Sequence, residues 1–102
     1  MYKGLSFFNK AIIGLVPRHL NVVIEVEGDT FTLINFTTGK DGVGRYYSFH
    51  NWRKIDRPSQ IAWGMERKVH KEDILFMMRR GLMQVTENCP PDLLRLISSR
   101  QP

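Results

Sequence analysis

The stretch LNVVIEVEGDTFTLINF, residues 20–36, decides the fold of this chain. Residues 20–26 alternate apolar side chains with others and are rich in Val and Ile, which predicts a half-buried strand. The residues of its inward face are Leu20, Val22, Ile24 and Val26. The turn residues Gly28 and Asp29 follow, and residues 30–36 alternate again. This alternation predicts one face with Phe31, Leu33 and Asn35 and another with Ile34 and Phe36. The sequence therefore predicts an antiparallel β-hairpin.

Strands and a helix are also predicted on either side of this hairpin. Residues 43–49 are rich in aromatic side chains, which favours a third strand that would complete a three-stranded meander. Residues 50–68 are ambiguous and could add one or two short edge strands around Pro58. Between Ser6 and Pro17, apolar residues recur at three- and four-residue spacing, which predicts a short helix. These apolar residues are Phe7, Phe8, Ala11, Ile12 and Leu15.

Two more helices are predicted in the second half of the chain. Residues 70–80 have acids in their first turn, and Gly81 stands where a helix would end. The buried face of this helix would consist of Ile74, Leu75, Met77 and Met78. After a short segment at residues 82–85, Pro90 and Pro91 open the last helix. Its buried face would consist of Leu93, Leu94, Leu96 and Ile97. The sequence thus predicts one α+β domain, residues 1–102, with a small antiparallel β-sheet flanked by helices.

Length and charge exclude several classes of protein. A chain of 102 residues forms one small domain, which excludes a multi-domain enzyme. Its 42% hydrophobic and 25% charged residues exclude a disordered or low-complexity chain. The net charge of +5 lies mostly in residues 52–102, where ten Lys and Arg face six acids. An anionic partner such as nucleic acid is therefore compatible with the charge, although a moderate charge also serves solubility.

Aromatic residues next to basic ones are the ingredients of a face that binds single-stranded nucleic acid. The aromatic residues are Tyr46, Tyr47, Trp52 and Trp63. The basic residues are Arg45, Arg53, Lys54 and Arg57. Packing of these aromatic rings in the core and at its rim is the favoured interpretation, because no nucleic-acid-binding motif accompanies them.

The single cysteine, Cys89, excludes an internal disulfide framework and cysteine-rich zinc modules. Polar residues and Pro17 interrupt the apolar stretch at residues 5–16, so neither a membrane span nor a signal peptide is expected. We therefore expect a soluble, cytoplasmic protein that holds no metal and no cofactor.

Cys89 directly precedes the last predicted helix. The positive end of a helix favours the thiolate and lowers the pKa of a thiol, which prepares a nucleophile. The other interpretation is a buried cysteine that fills space. An attacking cysteine also needs a base. His19 is the first candidate because it stands at the start of a predicted strand, and a rigid strand fixes an imidazole ring better than a loop does. His50 and His70 are more simply explained as polar surface or capping residues.

Several segments resemble the circularly permuted papain-like proteins of the YiiX and NlpC-related superfamily. Residues 4–13 and 17–26 are similar to their opening helix and their His-bearing strand, and residues 28–35 to their next hairpin. Residues 89–94 would match the family's Cys-bearing helix start. The resemblance implies a permuted papain-like fold, with Cys89 as nucleophile, His19 as base and Asn35 as the residue that orients His19. Asn35 replaces the usual acid, which an amide oxygen can do because it accepts from an imidazole N–H.

The resemblance implies a cysteine-dependent hydrolase or acyltransferase that acts on an amide, ester or thioester bond of an acyl or peptide substrate. One feature opposes catalysis: Pro90 and Pro91 remove two backbone N–H groups that could stabilise an oxyanion. The superfamily also includes inactive members that serve as structural parts, some of them encoded by phages. The alternative is therefore a non-catalytic structural or assembly protein on the same scaffold, virion-associated and bound to protein partners.

Overall fold

A computed structural model describes residues 2–9, 19–38 and 43–99. Within these residues the chain forms seven strands and two helices. The strands are β1 (Ser6–Asn9), β2 (Leu20–Glu27), β3 (Thr30–Thr37), β4 (Val43–Tyr47), β5 (Ser59–Ile61), β6 (Arg67–His70) and β7 (Met83–Thr86). The helices are α1 (Lys71–Arg79) and α2 (Pro91–Ser98). All strand pairs are antiparallel, which confirms the predicted small antiparallel sheet with helices.

The hairpin of β2 and β3 lies at the centre of the sheet, as predicted. Gly28 adopts a φ of 59°, a left-handed conformation that the tight turn requires and that glycine adopts without strain. The pairing register shifts between Val23 and Glu25, so β2 contains a bulge. A bulge reverses the facing of every later residue, and Val26 consequently lies on the same side as Phe31 and α1. The predicted common face for Leu20 and Val26 is therefore wrong.

The predicted three-stranded meander is also wrong. The order of strands is β4-β5-β3-β2-β1-β7, with β6 paired to the first half of β3. Ile61 of β5 pairs with Phe36 on one side and with Val43 on the other. The outer edge of β3 is thus occupied by β6 and β5, which leaves β4 no place beside it. The ambiguous residues 50–68 supply β5 and begin β6.

The predicted N-terminal helix begins where the structure has strand β1. Ser6–Asn9 pairs with β2 on one side and with β7 on the other, so its backbone groups are hydrogen-bonded within the sheet. Phe7 is fully buried opposite Asn21 and Val85, and this pairing overrides the helical spacing of the apolar residues. The remainder of the prediction, with Ala11, Ile12, Leu15 and Pro17, falls outside the described residues.

Each face of the sheet is covered by one helix. On one face, α2 packs against the central hairpin and the loop between β4 and β5. This α2 layer contains Leu20, Val22, Ile34, Phe36, Tyr47, Trp52, Ile55, Ile61, Cys89, Leu93 and Ile97. On the other face, α1 covers a second layer that contains Leu5, Phe7, Val23, Phe31, Leu33, Val69, Ile74 and Met77. The alternation of β3 predicted this division of Ile34 and Phe36 from Phe31 and Leu33.

Both helices in the second half of the chain are confirmed, with a correction to α1. Helix α1 ends before Gly81, whose φ of 64° is the conformation expected just after a helix. Leu75 and Met78, predicted on the buried face, are exposed. The run from Ile74 to Met78 is apolar around the whole helix, whereas a single sheet covers only one side of it.

Candidate functional site

Cys89 lies in the segment between β7 and α2, two residues before the first helical residue. Its side chain is part of the α2 layer, with Leu93 and Ile97, and the residue is only 4% exposed. Its backbone N–H donates to the carbonyl of Gly4 at 2.9 Å, which fixes this segment against the chain just before β1. The thiol is therefore held inside apolar packing.

Burial raises the pKa of the Cys89 thiol to about 12. This is opposite to the lowering expected from the positive end of a helix. Removal from water disfavours the charged thiolate, and Pro90 and Pro91, which open α2, have no N–H to donate to it. The interpretation of Cys89 as a buried space-filling residue agrees with both its packing and its pKa.

His19 stands immediately before β2, as predicted, and is half-buried. The buried Asn21 side chain donates from Nδ2 to the His19 carbonyl at 3.0 Å and to Oδ1 of the buried Asn9 at 2.6 Å. This pair of amides ties the start of β2 to the end of β1. The sequence did not predict the contact between Asn21 and Asn9, because no motif or spacing links the two residues.

Asn35, the predicted orienting residue, lies on β3 opposite Asn21 in the pairing register. Its side chain is half-buried and donates from Nδ2 to the carbonyl of Phe36 at 3.1 Å. Among the described residues, no hydrogen bond joins the Asn35 amide to Cys89. Asn35 follows Phe31 and Leu33 in the alternation of β3 and therefore faces the α1 side of the sheet, whereas Cys89 is part of the α2 layer on the other side. The structure thus places Asn35 and Cys89 on opposite faces, with packing and backbone contacts instead of a common hydrogen-bonded group.

His50 and His70 are both exposed. His70 is the N-cap residue of α1, and its backbone N–H donates to the Asp73 carboxylate at 3.4 Å. His70 thus occupies the N-cap position of α1 with an exposed side chain, where a polar surface or capping residue was predicted.

The described residues include an open cleft of about 240 Å³ beside His19. Its buried and half-buried apolar lining consists of Phe8, Leu20, Phe36 and Ile55. Its polar lining consists of His19, Thr38, Lys54, Asp56, Arg57 and Ser59. Neither Cys89 nor Asn35 lines the cleft, so access to His19 from solvent does not extend to the thiol.

The aromatic residues are mainly structural. Trp52 and Tyr47 are buried and pack edge to face against Phe36, each with ring centroids 6.1 Å apart. Rings in these positions cannot stack on nucleic-acid bases. The favoured interpretation of Trp52 and Tyr47 as core residues is therefore confirmed, and a base-stacking face that uses them is wrong.

Two features were missed in the sequence. Glu87 accepts hydrogen bonds from Trp52 and Arg53, a contact that no spacing indicated because it joins residues more than 30 positions apart. The exposed apolar side chains of α1 are the second feature. Here the signal was present, since five consecutive apolar residues cannot all face one sheet.

The part of the chain that the structure describes contains no cluster of three His, Cys, Asp or Glu side chains that could hold a metal ion. In the same residues, neither helix has the length and apolar character needed to cross a bilayer. No family model, no characterised protein and no solved structure matches the chain.

Proposed function

We propose that this chain is a non-catalytic structural or assembly protein on a permuted papain-like scaffold. The single observation that carries the proposal is the burial of Cys89, which is 4% exposed within apolar packing. The scaffold is supported by the order of elements, in which His19 precedes a central strand and Cys89 precedes the last helix. Catalysis by this scaffold would require a thiolate that reaches a substrate carbonyl.

Two properties of Cys89, its raised pKa and the enclosure of its sulfur atom, oppose a reactive thiol. First, burial raises the pKa of the Cys89 thiol to about 12, so the thiol is protonated at neutral pH. A substrate carbonyl would also have to reach a sulfur atom that apolar side chains enclose. The raised pKa and the enclosure of the sulfur atom have the same cause, which is the packing of Cys89 beneath α2.

The docking face in this proposal is the outer side of α1, defined by Leu75, Phe76 and Met78 with the neighbouring Val26. These side chains are exposed although they are large and apolar, which is typical of an interaction surface. Arg79 and Arg80 adjoin them at the end of the helix, and no described carboxylate lies within ion-pair distance of either guanidinium. The complementary partner is a protein surface that presents apolar side chains beside carboxylates.

Thiol labelling tests the non-catalytic part of the proposal. Native protein and urea-unfolded protein are treated with iodoacetamide near neutral pH, together with His19→Ala. We expect labelling of the native protein to be at least about a hundredfold slower than that of the unfolded protein, and unchanged in His19→Ala. Fast native labelling that slows in His19→Ala would reveal an activated pair and overturn the proposal.

Oxidative footprinting tests the docking face. The chain is expressed with an affinity tag in cells that encode it, and its native complex is isolated. In the complex, oxidation of Met78 and Phe76 should fall relative to the free chain, while Tyr46 and Phe49, exposed at another part of the molecule, serve as references. Equal oxidation of Met78 in both states would contradict docking through α1.

The alternative is the thiol hydrolase or acyltransferase, with Cys89, His19 and Asn35 in the roles that the resemblance implies. The placement of Asn35 and Cys89 on opposite faces of the sheet opposes this alternative. The observation in its favour is that Cys89 shares the α2 layer with Leu20, the residue next to His19. In this reaction His19 would take the thiol proton while sulfur attacks the carbonyl, and would return it to the leaving group before water releases the acyl product. Cys89→Ala would abolish such turnover, whereas the non-catalytic proposal expects no loss of assembly in the same variant.

A further inference from the structure

The cleft beside His19 combines an apolar interior with a basic rim. Phe36 and Ile55 are buried and Phe8 is half-buried, whereas Lys54 and Arg57 are half-buried and exposed respectively. Small-molecule sites typically have this construction, in which apolar walls are joined by a few polar groups that fix orientation. None of these residues belongs to the docking face on α1.

The charges at the rim favour an anion. Arg57 has a carboxylate near it, because Asp56 lies 3.9 Å from its Nε, but both side chains extend into solvent and such a pair is weak. Among the described residues, no carboxylate oxygen lies within ion-pair distance of the Lys54 ammonium. Of the residues that line the cleft, two are cations and one is a carboxylate, which leaves a positive excess. The Glu87 carboxylate, which does not line the cleft, also interacts with Lys54, but it is already paired with Arg53.

The size of the cleft limits what it can hold. A volume of about 240 Å³ is below the roughly 300 to 1,000 Å³ of pockets for drug-sized ligands. It suits one aromatic ring or a short acyl chain together with one anionic group. The apolar portion would contact Phe8 and Phe36, and the anionic group would lie between Lys54 and Arg57.

We propose that this cleft binds a small phosphate or carboxylate anion that carries an apolar group. This inference goes beyond the structural role proposed above and does not depend on it, because Cys89 does not line the cleft. Lys54 and Arg57 supply several N–H donors to the anion, and these charge-assisted hydrogen bonds are the strong kind. The apolar walls distinguish such a ligand from free inorganic anions, whose hydration they cannot replace.

The test is an NMR titration of ¹⁵N-labelled full chain with four probes: phenyl phosphate, benzoate, phenol and inorganic phosphate. We expect saturable shifts at the backbone amides of Thr38, Ile55 and Ser59 with phenyl phosphate, with benzoate, or with both. Phenol and inorganic phosphate should bind at least about tenfold more weakly, which corresponds to about 1.4 kcal/mol. Comparison of the first two probes separates a phosphate site from a carboxylate site.

Variants then locate the binding. Lys54→Gln should weaken binding of the better probe about tenfold, while Lys68→Gln, a change at an exposed lysine on β6, should leave it unchanged. Arg57→Gln repeats the test at an exposed position should Lys54→Gln fail to fold. Cys89→Ala should bind normally, so that loss of binding and failure of the non-catalytic proposal are read independently.

Four outcomes would overturn the inference. The first is that neither organic anion binds. The second is that phenol binds as well as the anions, so that charge is irrelevant, and the third is that inorganic phosphate binds as well as phenyl phosphate, so that the apolar walls are irrelevant. The fourth is that the shifts spread over basic residues throughout the surface, which would indicate an adventitious ion only.

Discussion

The Glu87 carboxylate binds the Arg53 guanidinium through both of its oxygen atoms, with the shortest contact, from Nη2 to Oε2, at 2.6 Å. Oε1 also accepts from the indole Nε1 of Trp52 at 3.1 Å, and the Glu87 carbonyl accepts from the Ser6 hydroxyl. Glu87 thereby joins the loop between β4 and β5 to β1 and to the segment that carries Cys89. These hydrogen bonds fix Trp52, which packs in the same buried layer as Cys89.

Replacement of Glu87 should make the free energy of unfolding depend less on pH in the acid range. The Arg53 hydrogen bonds lower the pKa of Glu87, so its contribution to stability is present above the ordinary carboxyl pKa and is lost as the pH falls through the lowered value. We expect Glu87→Gln to be less stable than the parent near pH 7 and to approach it near pH 3. Urea unfolding at both pH values measures this.

Gln retains an oxygen that can accept from Trp52, so the substitution removes mainly the charge facing Arg53. Glu27→Gln, at the exposed end of β2, is the matched control and should leave the pH dependence unchanged. A constant difference between Glu87→Gln and the parent across this pH range would contradict the role of the ion pair.

Burial of Cys89 should make the protein less stable in alkali. The unfolded chain releases the thiol proton above the ordinary pKa of 9.0, whereas the folded chain retains it up to about pH 12. Stability should therefore fall as the pH rises above about 9, by at most about 1.4 kcal/mol per pH unit from this group. Cys89→Ala removes this component, and urea unfolding near pH 8 and near pH 10 should show a smaller decrease in the variant. Parallel decreases would mean that the thiol is open to solvent.

Two adjacent methionines on α1 provide a matched test of its orientation. Met77 is 1% exposed in the layer under α1, whereas Met78 is 54% exposed. Met77→Ala should cost about 2 to 5 kcal/mol through lost burial and a cavity. Met78→Ala should change the free energy of unfolding by no more than about 0.5 kcal/mol. Similar losses in the two variants would show that α1 is rotated from the orientation described, or that its outer face is covered.

The stability of the protein should depend on the hydrogen bonds that the buried Asn21 amide donates at the start of β2. Asn21→Asp keeps the size of the side chain but places a carboxylate where Nδ2 donates to Asn9 and to the His19 carbonyl. We expect a loss of about 3 kcal/mol or more near neutral pH, the upper range for an unsatisfied buried polar group. Chemical denaturation of both proteins gives the difference.

Asn88→Asp is the control for this substitution. Asn88 is exposed, and its Oδ1 only accepts from the Tyr2 hydroxyl, which a carboxylate also does. Its stability should remain within about 0.5 kcal/mol of the parent. A comparable loss in both variants would indicate that negative charge itself, and not the missing donor, is responsible.

The candidate site shows where sequence reasoning stops. His19 at the start of a strand and Cys89 before a helix were both placed correctly, because each position depends on local pattern. Whether the thiol is open to solvent depends on α2, the Trp52 loop and β1, which are far from one another in sequence. A helix start implied a lowered pKa, but burial by those distant elements raises it instead.

The sequence by itself determined the central hairpin, the existence of α1 and α2, and the two faces of β3, because turn residues, capping residues and period-2 alternation act over a few neighbouring positions. Only the tertiary structure decided that residues 6–9 form a strand, that β5 enters between β3 and β4, and that the bulge in β2 turns Val26 toward α1. Strand pairing and burial join residues that are distant along the chain, and a short apolar run such as Phe7 and Phe8 fits a helix or a strand until its partners are present.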